Sequence, residues 1–167
     1  MNKKIERNYL EINSIKDLKD SSNVAERFFI QHIKTPDFQI NKFFYKNVGK
    51  NHNWVDRLVW TEKQWIDYVS DQNVKTYILK DKNEFAGYFE LILHLKNNEI
   101  EIAYLGLLEE YHNLKLGSYL LSSAIKSSFS NKPNRVWVHT CSLDHKNALK
   151  NYISRGMKIF KTETIFI

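Results

Sequence analysis

Residues 99–129 read EIEIAYLGLLEEYHNLKLGSYLLSSAIKSSF, and this stretch decides the fold. Alternating apolar residues predict a strand over 99–107, and a polar loop closed by Gly117 leads into an amphipathic helix over 116–129. A strand that runs into the first turn of a helix leaves free N–H groups beside the positive end of the helix dipole. The stretch therefore predicts an anion site, and we expect the diphosphate group of a coenzyme to bind there.

The remaining sequence predicts strands and helices that pack in layers. Runs of β-favouring residues indicate the strands, and capping residues such as Thr61 with Gln64 mark the helix ends. In chain order, the predicted elements are strands 7–12 and 25–33, helices 37–48 and 62–70, strands 74–80, 84–95 and 99–107, helix 116–129, strand 135–140, helix 145–155 and strand 157–166. This order indicates the α/β or α+β class, with a single domain over residues 1–167 built around one central sheet.

The formal net charge of +6 is carried by dispersed lysines rather than by one basic patch. Such a charge is typical of a soluble surface or of one that attracts a phosphorylated cofactor, and the lack of an aromatic-plus-basic stacking motif disfavours nucleic-acid binding. No apolar run approaches the roughly 20 residues needed to cross a bilayer, and the N-terminus shows no secretory signal. The single cysteine, Cys141, excludes an intrachain disulfide. We therefore expect a cytoplasmic protein with no membrane or nucleic-acid partner.

Strands 84–95 and 99–107 are predicted to form an antiparallel hairpin around a turn centred on Asn97-Asn98. That turn places His94 directly opposite Glu101. Alternation then assigns one face of the hairpin to the core, with Phe89, Leu91, Leu93, Ile100, Ile102 and Tyr104. The other face carries Tyr88, Glu90, Ile92, His94, Glu101 and Ala103. Because carboxylates and an imidazole within a sheet are costly unless they are solvated, paired or used, the second face is predicted to carry the chemistry.

Three segments resemble the GNAT superfamily of acetyl-CoA-dependent N-acetyltransferases, and the similarity extends over about residues 74–165. The family's pyrophosphate motif, Q/R-x-x-G-x-G/A, corresponds to His112 through Gly117, followed by Ser118, with only the last glycine kept. A W-x-D-R segment from Trp54 to Arg57 is similar to one bacterial subgroup. The more specific match is TCSLDHKNALKNYISRGMKI, which supplies the family's Asn-Ala helix with its tyrosine and glycine as Asn147, Ala148, Tyr152 and Gly156.

The resemblance implies a GNAT-like fold, which is a mixed, mostly antiparallel sheet of about seven strands flanked by about four helices. It also implies an enzyme that transfers an acetyl group from acetyl-CoA to a primary amine of a small molecule, amino acid or peptide, by direct attack in a ternary complex. The alternative is a degenerate module that binds CoA as a sensor or interaction protein. The incomplete match to the pyrophosphate motif favours the module, whereas retention of Glu101, Asn147 and Tyr152 favours the enzyme.

Acetyl transfer needs a base, because an amine with a pKa of about 10 is mostly protonated at pH 7. Strand alternation and the resemblance make Glu101 the first choice, with Glu90 and His94 as alternatives. Equally, His94 and Glu101 could form a cross-strand pair that only stabilises the hairpin. The resemblance assigns Tyr152 as the acid that protonates the leaving thiolate, and the alternative is a tyrosine that only packs on the sheet.

The resemblance places acetyl-CoA along the central strand and the helix that follows it. Main-chain N–H groups are expected to bind the diphosphate, with Gly117 supplying conformational freedom and Lys115 either straining the loop or pairing with a phosphate. A strand N–H near Leu105 to Leu107 is expected to bind the acetyl carbonyl oxygen, and Asn147 to hold the pantetheine arm or a water. The predicted cofactor-binding residues are Leu105, Leu107, His112, Asn113, Leu114, Lys115, Leu116, Gly117, Ser118 and Asn147.

The amine acceptor is expected on the polar face of the hairpin. In relatives the loop before the sheet walls the acceptor site, so the predicted substrate contacts are Trp54, Asp56, Arg57, Glu90 and His94. Carboxylates in such a cavity favour a cationic amine. The histidines show no metal-ligand spacing, so we predict no metal. The oligomeric state stays open, with a homodimer as one alternative.

Overall fold

Seven strands form one mixed sheet in the computed structural model, which describes residues 2–167. The strands are β1 Lys4–Ile12, β2 Phe28–His32, β3 Val74–Asp81, β4 Glu84–His94, β5 Glu99–Leu107, β6 Arg135–Cys141 and β7 Lys158–Phe166. Their order across the sheet is β2-β3-β4-β5-β6-β1-β7, and only the neighbours β5 and β6 run parallel. The predicted mixed, mostly antiparallel sheet is confirmed.

Two helices cover each face of the sheet within residues 2–167. The helices are α1 Phe38–Gly49, α2 Glu62–Ser70, α3 Leu116–Phe129 and α4 Ala148–Ser154. On β4, Phe89 packs in the cluster that contains α3 and α4 residues, whereas its neighbour Tyr88 packs against Phe44 and Val48 of α1. Because neighbouring strand residues point to opposite faces, the sheet has an α1–α2 face and an α3–α4 face. The predicted class and the four flanking helices are confirmed.

Two elements are shorter than predicted, because a turn precedes each of them. Ala25 accepts a hydrogen bond from the N–H of Phe28 (3.0 Å), so residues 25–27 form a turn and β2 begins only at Phe28. His145 accepts a hydrogen bond from the N–H of Ala148 (2.8 Å), so α4 begins at Ala148 rather than at His145. This start makes Asn147 the N-cap residue of α4.

The turn between β4 and β5 is longer than predicted. It spans four residues, and Asn98 adopts a left-handed conformation (φ 52°) while donating its N–H to the carbonyl of Leu95 (3.3 Å). His94 consequently lies opposite Glu99. The predicted pairing of His94 directly opposite Glu101 was wrong, although the two residues share a face and their side chains meet.

A β-bulge in β5 changes the face of the residues that follow it. Leu91 pairs with Ile102 and Glu90 pairs with Tyr104, so Ala103 has no partner of its own on β4. Tyr104 therefore lies on the α1–α2 face with Glu90. Its predicted place on the core face was wrong, because the extra residue of the bulge shifts the alternation of side chains between the two faces.

Strands β5 and β6 pair only at one end. Their parallel ladder covers three residues of each strand, from Glu99 to Glu101 and from Arg135 to Trp137. Beyond that ladder β5 continues to Leu107 and β6 to Cys141 without pairing to each other. We call the resulting gap between 102–107 and 138–141 the wedge. Main-chain polar groups that point into the wedge have no partner on the opposite strand, so they can bind a side chain or a ligand.

Candidate active site

A cavity of about 1060 Å³ occupies the wedge and is lined from both faces of the sheet. Tyr45 and Trp54 line it on the α1–α2 face, and Gly117 and Tyr152 line it on the α3–α4 face. Its volume is slightly above the range of about 300–1,000 Å³ that is typical of ligand pockets. A cavity that crosses the sheet can accept one substrate from each face and bring the two together in the wedge.

Most of the predicted site residues lie in the wall of this cavity. The residues that line it are Trp54, Asp56, Leu105, Leu107, His112, Asn113, Lys115, Leu116, Gly117, Ser118, Asn147 and Tyr152. The predicted residues that lie outside the wall are Arg57, Glu90, His94, Glu101 and Leu114. More of the predicted cofactor-binding residues than of the predicted substrate contacts therefore lie in the cavity wall.

The first turn of α3 borders the cavity and has no side-chain cap. Lys115, the residue before α3, adopts a left-handed conformation (φ 59°), as does Asn113 (φ 63°), and Lys115 makes no capping hydrogen bond. The N–H groups at the start of α3 are therefore available to an anion. Gly117 lies inside α3 without a positive φ. The prediction that Gly117 supplies the conformational freedom of the loop was wrong, since Asn113 and Lys115 supply it.

Gly117 instead leaves space beside the helix. A Cβ atom at this position would come no closer than 3.7 Å to the protein, at Nδ2 of Asn151, which is an ordinary van der Waals distance. Asn151 also donates a hydrogen bond from Nδ2 to the carbonyl of Gly117 (3.0 Å), which ties α4 to the first turn of α3. The fold does not require a glycine at this position, so the open space is available to a ligand.

One face of α4 adds cavity residues that were not predicted. These residues are Lys150, Asn151 and Ser154. Counted from Asn147, they follow the helical spacing i+3, i+4 and i+7, so all four share one face of the helix. Together with Lys115 and Arg155, Lys150 places cationic side chains around the α3–α4 end of the cavity. These residues could have been predicted from the sequence by extending the helical spacing from Asn147 along α4. This end of the cavity suits a phosphorylated ligand.

Tyr152 lies in the cavity wall, and its hydroxyl group is protonated. Its ring packs in the main core cluster, and burial raises the pKa of the hydroxyl, with the nearby charge of Asp144 raising it further. Asp144 is held in place by the hydroxyl of Thr140 (2.5 Å) and the N–H of Cys141 (3.0 Å). Tyr152 therefore keeps its proton at neutral pH and can donate it to a stronger base.

Strand β5 directs main-chain N–H groups into the wedge. Leu108 donates its N–H to the carbonyl of Ala86 on the β4 side (2.8 Å), so alternation turns the N–H groups of Leu105 and Leu107 away from β4. Nε2 of His112 donates to the carbonyl of Leu107 from the cavity side (3.3 Å), which agrees with this direction. The two predicted oxyanion donors thus border the cavity.

Glu101 lies on the α1–α2 face at the narrow end of the wedge and contacts His94. Its Oε1 is 3.0 Å from Nε2 of His94, and its side chain is 17% exposed. Trp137, directly across from Glu101 on β6, stacks on the His94 ring with centroids 5.8 Å apart. The predicted cross-strand contact is therefore present. The base role of Glu101 stays a prediction.

Glu90 and Arg57 form a buried ion pair on the α1–α2 face. An NH1 nitrogen of Arg57 lies 3.0 Å from Oε2 of Glu90, and the two side chains are 8% and 0% exposed. Tyr68 donates to Oε2 (2.8 Å) and Asn41 to Oε1 (2.8 Å). Burial lowers the pKa of Arg57, but the charge of Glu90, together with the hydroxyl groups of Tyr68 and Tyr104, outweighs burial and the net pKa is raised. Both charges are satisfied inside the protein, and neither side chain faces the cavity.

Aromatic rings surround the Arg57 guanidinium and fix the segment beside it. Ring centroids lie 4.1 to 5.8 Å from its central carbon, from Tyr68, Tyr104, Trp60, Tyr45 and Trp65. Such cation–π contacts are strongest when the cation is desolvated. The arrangement anchors residue 57, so that Trp54 and Asp56 just before it are presented to the cavity.

Three aromatic side chains and one carboxylate form the α1–α2 end of the cavity. The Trp54 ring lies 4.8 Å from Tyr104 and 5.7 Å from Tyr45, measured between centroids. Gly49 makes this packing possible, because a Cβ there would lie 2.4 Å from Cβ of Trp54. Asp56 is exposed at the same wall. The combination suits a cation with an apolar body.

No group of three His, Cys, Asp or Glu side chains suited to a metal ion occurs within residues 2–167. In that same part of the chain, no helix is both long enough and apolar enough to cross a bilayer. Cys141, the single thiol, is half-buried in the cavity wall.

Comparison with known proteins adds a family and a set of structural neighbours. The model of the acetyltransferase (GNAT) family matches residues 29–157. No match was found among curated proteins. A GCN5-related N-acetyltransferase from Kribbella flavida is 11% identical with a TM-score of 0.69, over 96% of this chain and 56% of that one. The chain thus spans just over half the length of that neighbour.

Two neighbours of similar length to this chain are acetyltransferases of small amines by name. An aminoglycoside acetyltransferase from an uncultured soil metagenomic sample is 12% identical with a TM-score of 0.65, over 80% of this chain and 90% of that one. A spermidine N-acetyltransferase from Vibrio cholerae, solved with CoA and spermine, is 13% identical with a TM-score of 0.64, over 85% of this chain and 96% of that one. At these identities the likeness shows a shared fold.

Proposed function

The chain belongs to the acetyltransferase (GNAT) family, and from this premise we propose that it transfers the acetyl group of acetyl-CoA to a primary amine of a small molecule, amino acid or peptide. The cavity that crosses the sheet at the wedge carries the proposal. One end offers cations and free N–H groups, and the other offers aromatic rings and a carboxylate. Direct attack in a ternary complex needs this access from opposite faces.

The α3–α4 end of the cavity has the groups that CoA requires. The N–H groups of Leu116, Gly117 and Ser118 would bind the diphosphate, while Lys115 and Lys150 offset its charge. When bound, acetyl-CoA supplies an acyl group activated as a thioester. The wedge-facing N–H groups of β5 would then stabilise negative charge on the carbonyl oxygen. The open space at Gly117 is the observation that favours a ligand at this helix.

The α1–α2 end of the cavity favours a cationic amine as acceptor. The half-buried rings of Trp54 and Tyr104 offer surface for cation–π contact, and Asp56 offers an opposite charge. Spermidine and aminoglycosides, for which two structural neighbours are named, carry several amines that are cationic at neutral pH. This chemistry supports the same substrate class for this chain.

Tyr152 is the proposed acid of the reaction. Tyr152 lines the cavity on the α3–α4 face, and burial and the charge of Asp144 keep its hydroxyl protonated. It would protonate the sulfur of CoA as the carbon–sulfur bond breaks, so that a thiol rather than a thiolate departs. Glu101 is the base that the family resemblance suggests, although it lies outside the cavity wall.

Acetyl-CoA is expected to stabilise the protein, and Gly117→Ala is expected to weaken that effect. At about 100 times its Kd, a ligand that binds only the folded state adds about 2.7 kcal/mol, or roughly 5–10 °C in Tm at this chain length. The added methyl group would occupy the space beside the diphosphate, so we expect Kd to rise at least tenfold. Without ligand, the variant should be more stable than the wild type by up to about 1 kcal/mol, because alanine favours a helix over glycine.

Differential scanning fluorimetry and calorimetric titration measure both quantities. Ser123→Ala is the matched control, since Ser123 lies in α3 away from the cavity and its hydroxyl only donates to the carbonyl of Tyr119. We expect that variant to bind acetyl-CoA as the wild type does. An unchanged Tm of the wild type at millimolar acetyl-CoA would contradict the cofactor proposal, and unchanged affinity in Gly117→Ala would contradict the placement of the diphosphate.

A further inference from the structure

His139 lies at the point where the wedge opens. The parallel ladder pairs Glu101 with Trp137, so continuing that register places His139 across the gap from the bulge residue Ala103. His139 and Ala103 both line the cavity. Strand alternation puts His139 on the same face as Trp137 and Glu101, which is the α1–α2 face. An amine that enters from the acceptor end therefore meets His139 before it reaches the wedge.

The His139 ring has no hydrogen-bond partner among residues 2–167, which distinguishes it from the other cavity histidines. Nδ1 of His52 is bound to the carbonyl of Leu143, Nε2 of His112 to the carbonyl of Leu107, and Nδ1 of His145 to the N–H of Asn147. Each of those rings has a fixed tautomer and one occupied nitrogen. His139 packs against the Tyr9 ring, with centroids 5.6 Å apart, and both of its nitrogens stay free.

The charges around His139 leave it neutral at pH 7. The residue keeps solvent access, but the protein around its imidazole partly desolvates the ring and lowers the pKa, and the guanidinium of Arg7 on β1 lowers it further. Glu101 on β5, Asp144 after β6 and Glu163 on β7 act in the opposite direction but do not outweigh them. A neutral imidazole is the form that accepts a proton.

We propose that His139 is the general base that accepts a proton from the ammonium group of the acceptor. This inference rests on the proposed function. The ammonium loses one N–H proton to a His139 ring nitrogen, and the freed nitrogen lone pair bonds to the thioester carbonyl carbon as the carbon–sulfur bond breaks. Tyr152 gives its proton to the sulfur. The second proton lost by the amine restores the Tyr152 hydroxyl, and His139 releases its proton to solvent.

Glu101 acts on His139 rather than on the amine in this mechanism. It is outside the cavity wall and its Oε1 already contacts His94, whereas its charge favours the protonated form of His139. Glu101 therefore acts on His139 through its charge, and His139 is the group that touches the substrate. The role of amine base, which was predicted for Glu101 on β5, is thus assigned to His139 on β6, across the wedge.

The pH dependence of kcat/KM for His139→Asn and His139→Gln tests this assignment. The wild type should fall tenfold per pH unit below the His139 pKa, which lies under the ordinary value of about 6.5, and level off above it. We expect both variants to lose about 100-fold in kcat near pH 7. Without a base, only amine that is already neutral reacts, so their rates should keep rising toward the amine pKa of about 10. Their Kd for acetyl-CoA should not change.

His32→Asn is the matched control, because His32 lies on edge strand β2, stacks on Tyr77 and lines a different cavity. It should behave as the wild type at every pH. A wild-type profile in both His139 variants would overturn the assignment and leave the proposed function intact. Loss of the low-pH limb in Glu101→Gln alone would return the role to Glu101. A wild type that binds acetyl-CoA but acetylates no amine would overturn the proposed function, and this base with it.

Discussion

Replacing Tyr152 with phenylalanine is expected to lower kcat for thiol release by at least about tenfold while leaving the Kd of acetyl-CoA unchanged. Burial and the charge of Asp144 both raise the pKa of the Tyr152 hydroxyl, so it holds a proton throughout the neutral range. Without that proton, the sulfur must leave as a thiolate or take its proton from a water molecule. Steady-state thiol release with a saturating amine measures kcat, and calorimetric titration measures Kd.

Tyr119→Phe is the control for this substitution. Tyr119 lies in α3 and packs partly buried against the same core cluster, but it does not line the cavity. Both changes remove only a hydroxyl, so the two variants should melt within a few degrees of the wild type. Equal kcat values for Tyr152→Phe and the wild type, with a confirmed acceptor, would remove Tyr152 from the mechanism.

Replacing Arg57 with methionine is expected to lower the free energy of unfolding by about 3–5 kcal/mol. The substitution leaves the carboxylate of Glu90 buried, at 0% exposure, without its cation. Tyr68 and Asn41 would still donate to it, but neutral donors do not replace a charge in a buried site. Chemical denaturation monitored by tryptophan fluorescence measures the change.

Two further variants separate the buried charge from a general effect of substitution. Lys63→Met breaks an exposed pair with Asp67, whose side chains are 82% and 62% exposed, and should cost at most about 1 kcal/mol. Combining Arg57→Met with Glu90→Leu removes both buried charges and should recover most of the lost stability. A loss below about 1 kcal/mol in Arg57→Met alone would mean that Glu90 is not held as a buried ion pair.

Local features of the fold could be predicted because neighbours in the chain decide them. The capping box of Thr61 and Gln64 begins α2 as predicted, and each predicted helix overlaps an observed one. Gly156 follows α4 with φ 103°, where a Cβ would lie 2.2 Å from the carbonyl oxygen of Asp17. A glycine after a helical pattern is a strong stop signal, and here both conformation and space require it.

The register of the β4–β5 hairpin could not be predicted, because it depends on contacts that the alternating pattern does not encode. A four-residue turn ending in the left-handed Asn98 and a two-residue turn leave the same residues on the same face, so hydrophobic alternation fits both. The bulge at Ala103 lies where β6 leaves β5, which is a tertiary feature. Only because of that bulge does Tyr104 lie on the α1–α2 face, at the acceptor end of the cavity.

The candidate site was predicted best where its residues are close in sequence. Asn147 and Tyr152 share a helical motif, and both line the cavity. Glu90 and Arg57 are 33 residues apart, and nothing local indicates that the two charges neutralise each other in the interior. His139 immediately precedes the motif segment, which begins at Thr140, so only its place across the wedge singles it out.

The most direct test of the central claim is acceptor-dependent thiol release by the wild-type protein. Purified protein would be incubated with acetyl-CoA and a panel of polyamines, aminoglycosides, amino acids and peptides, with free thiol and acetylated amine quantified together. We predict equimolar thiol and N-acetyl product with at least one cationic amine. Thiol release no faster than hydrolysis with every amine, in a protein whose Tm still rises with acetyl-CoA, would contradict an acetyltransferase and leave a CoA-binding module.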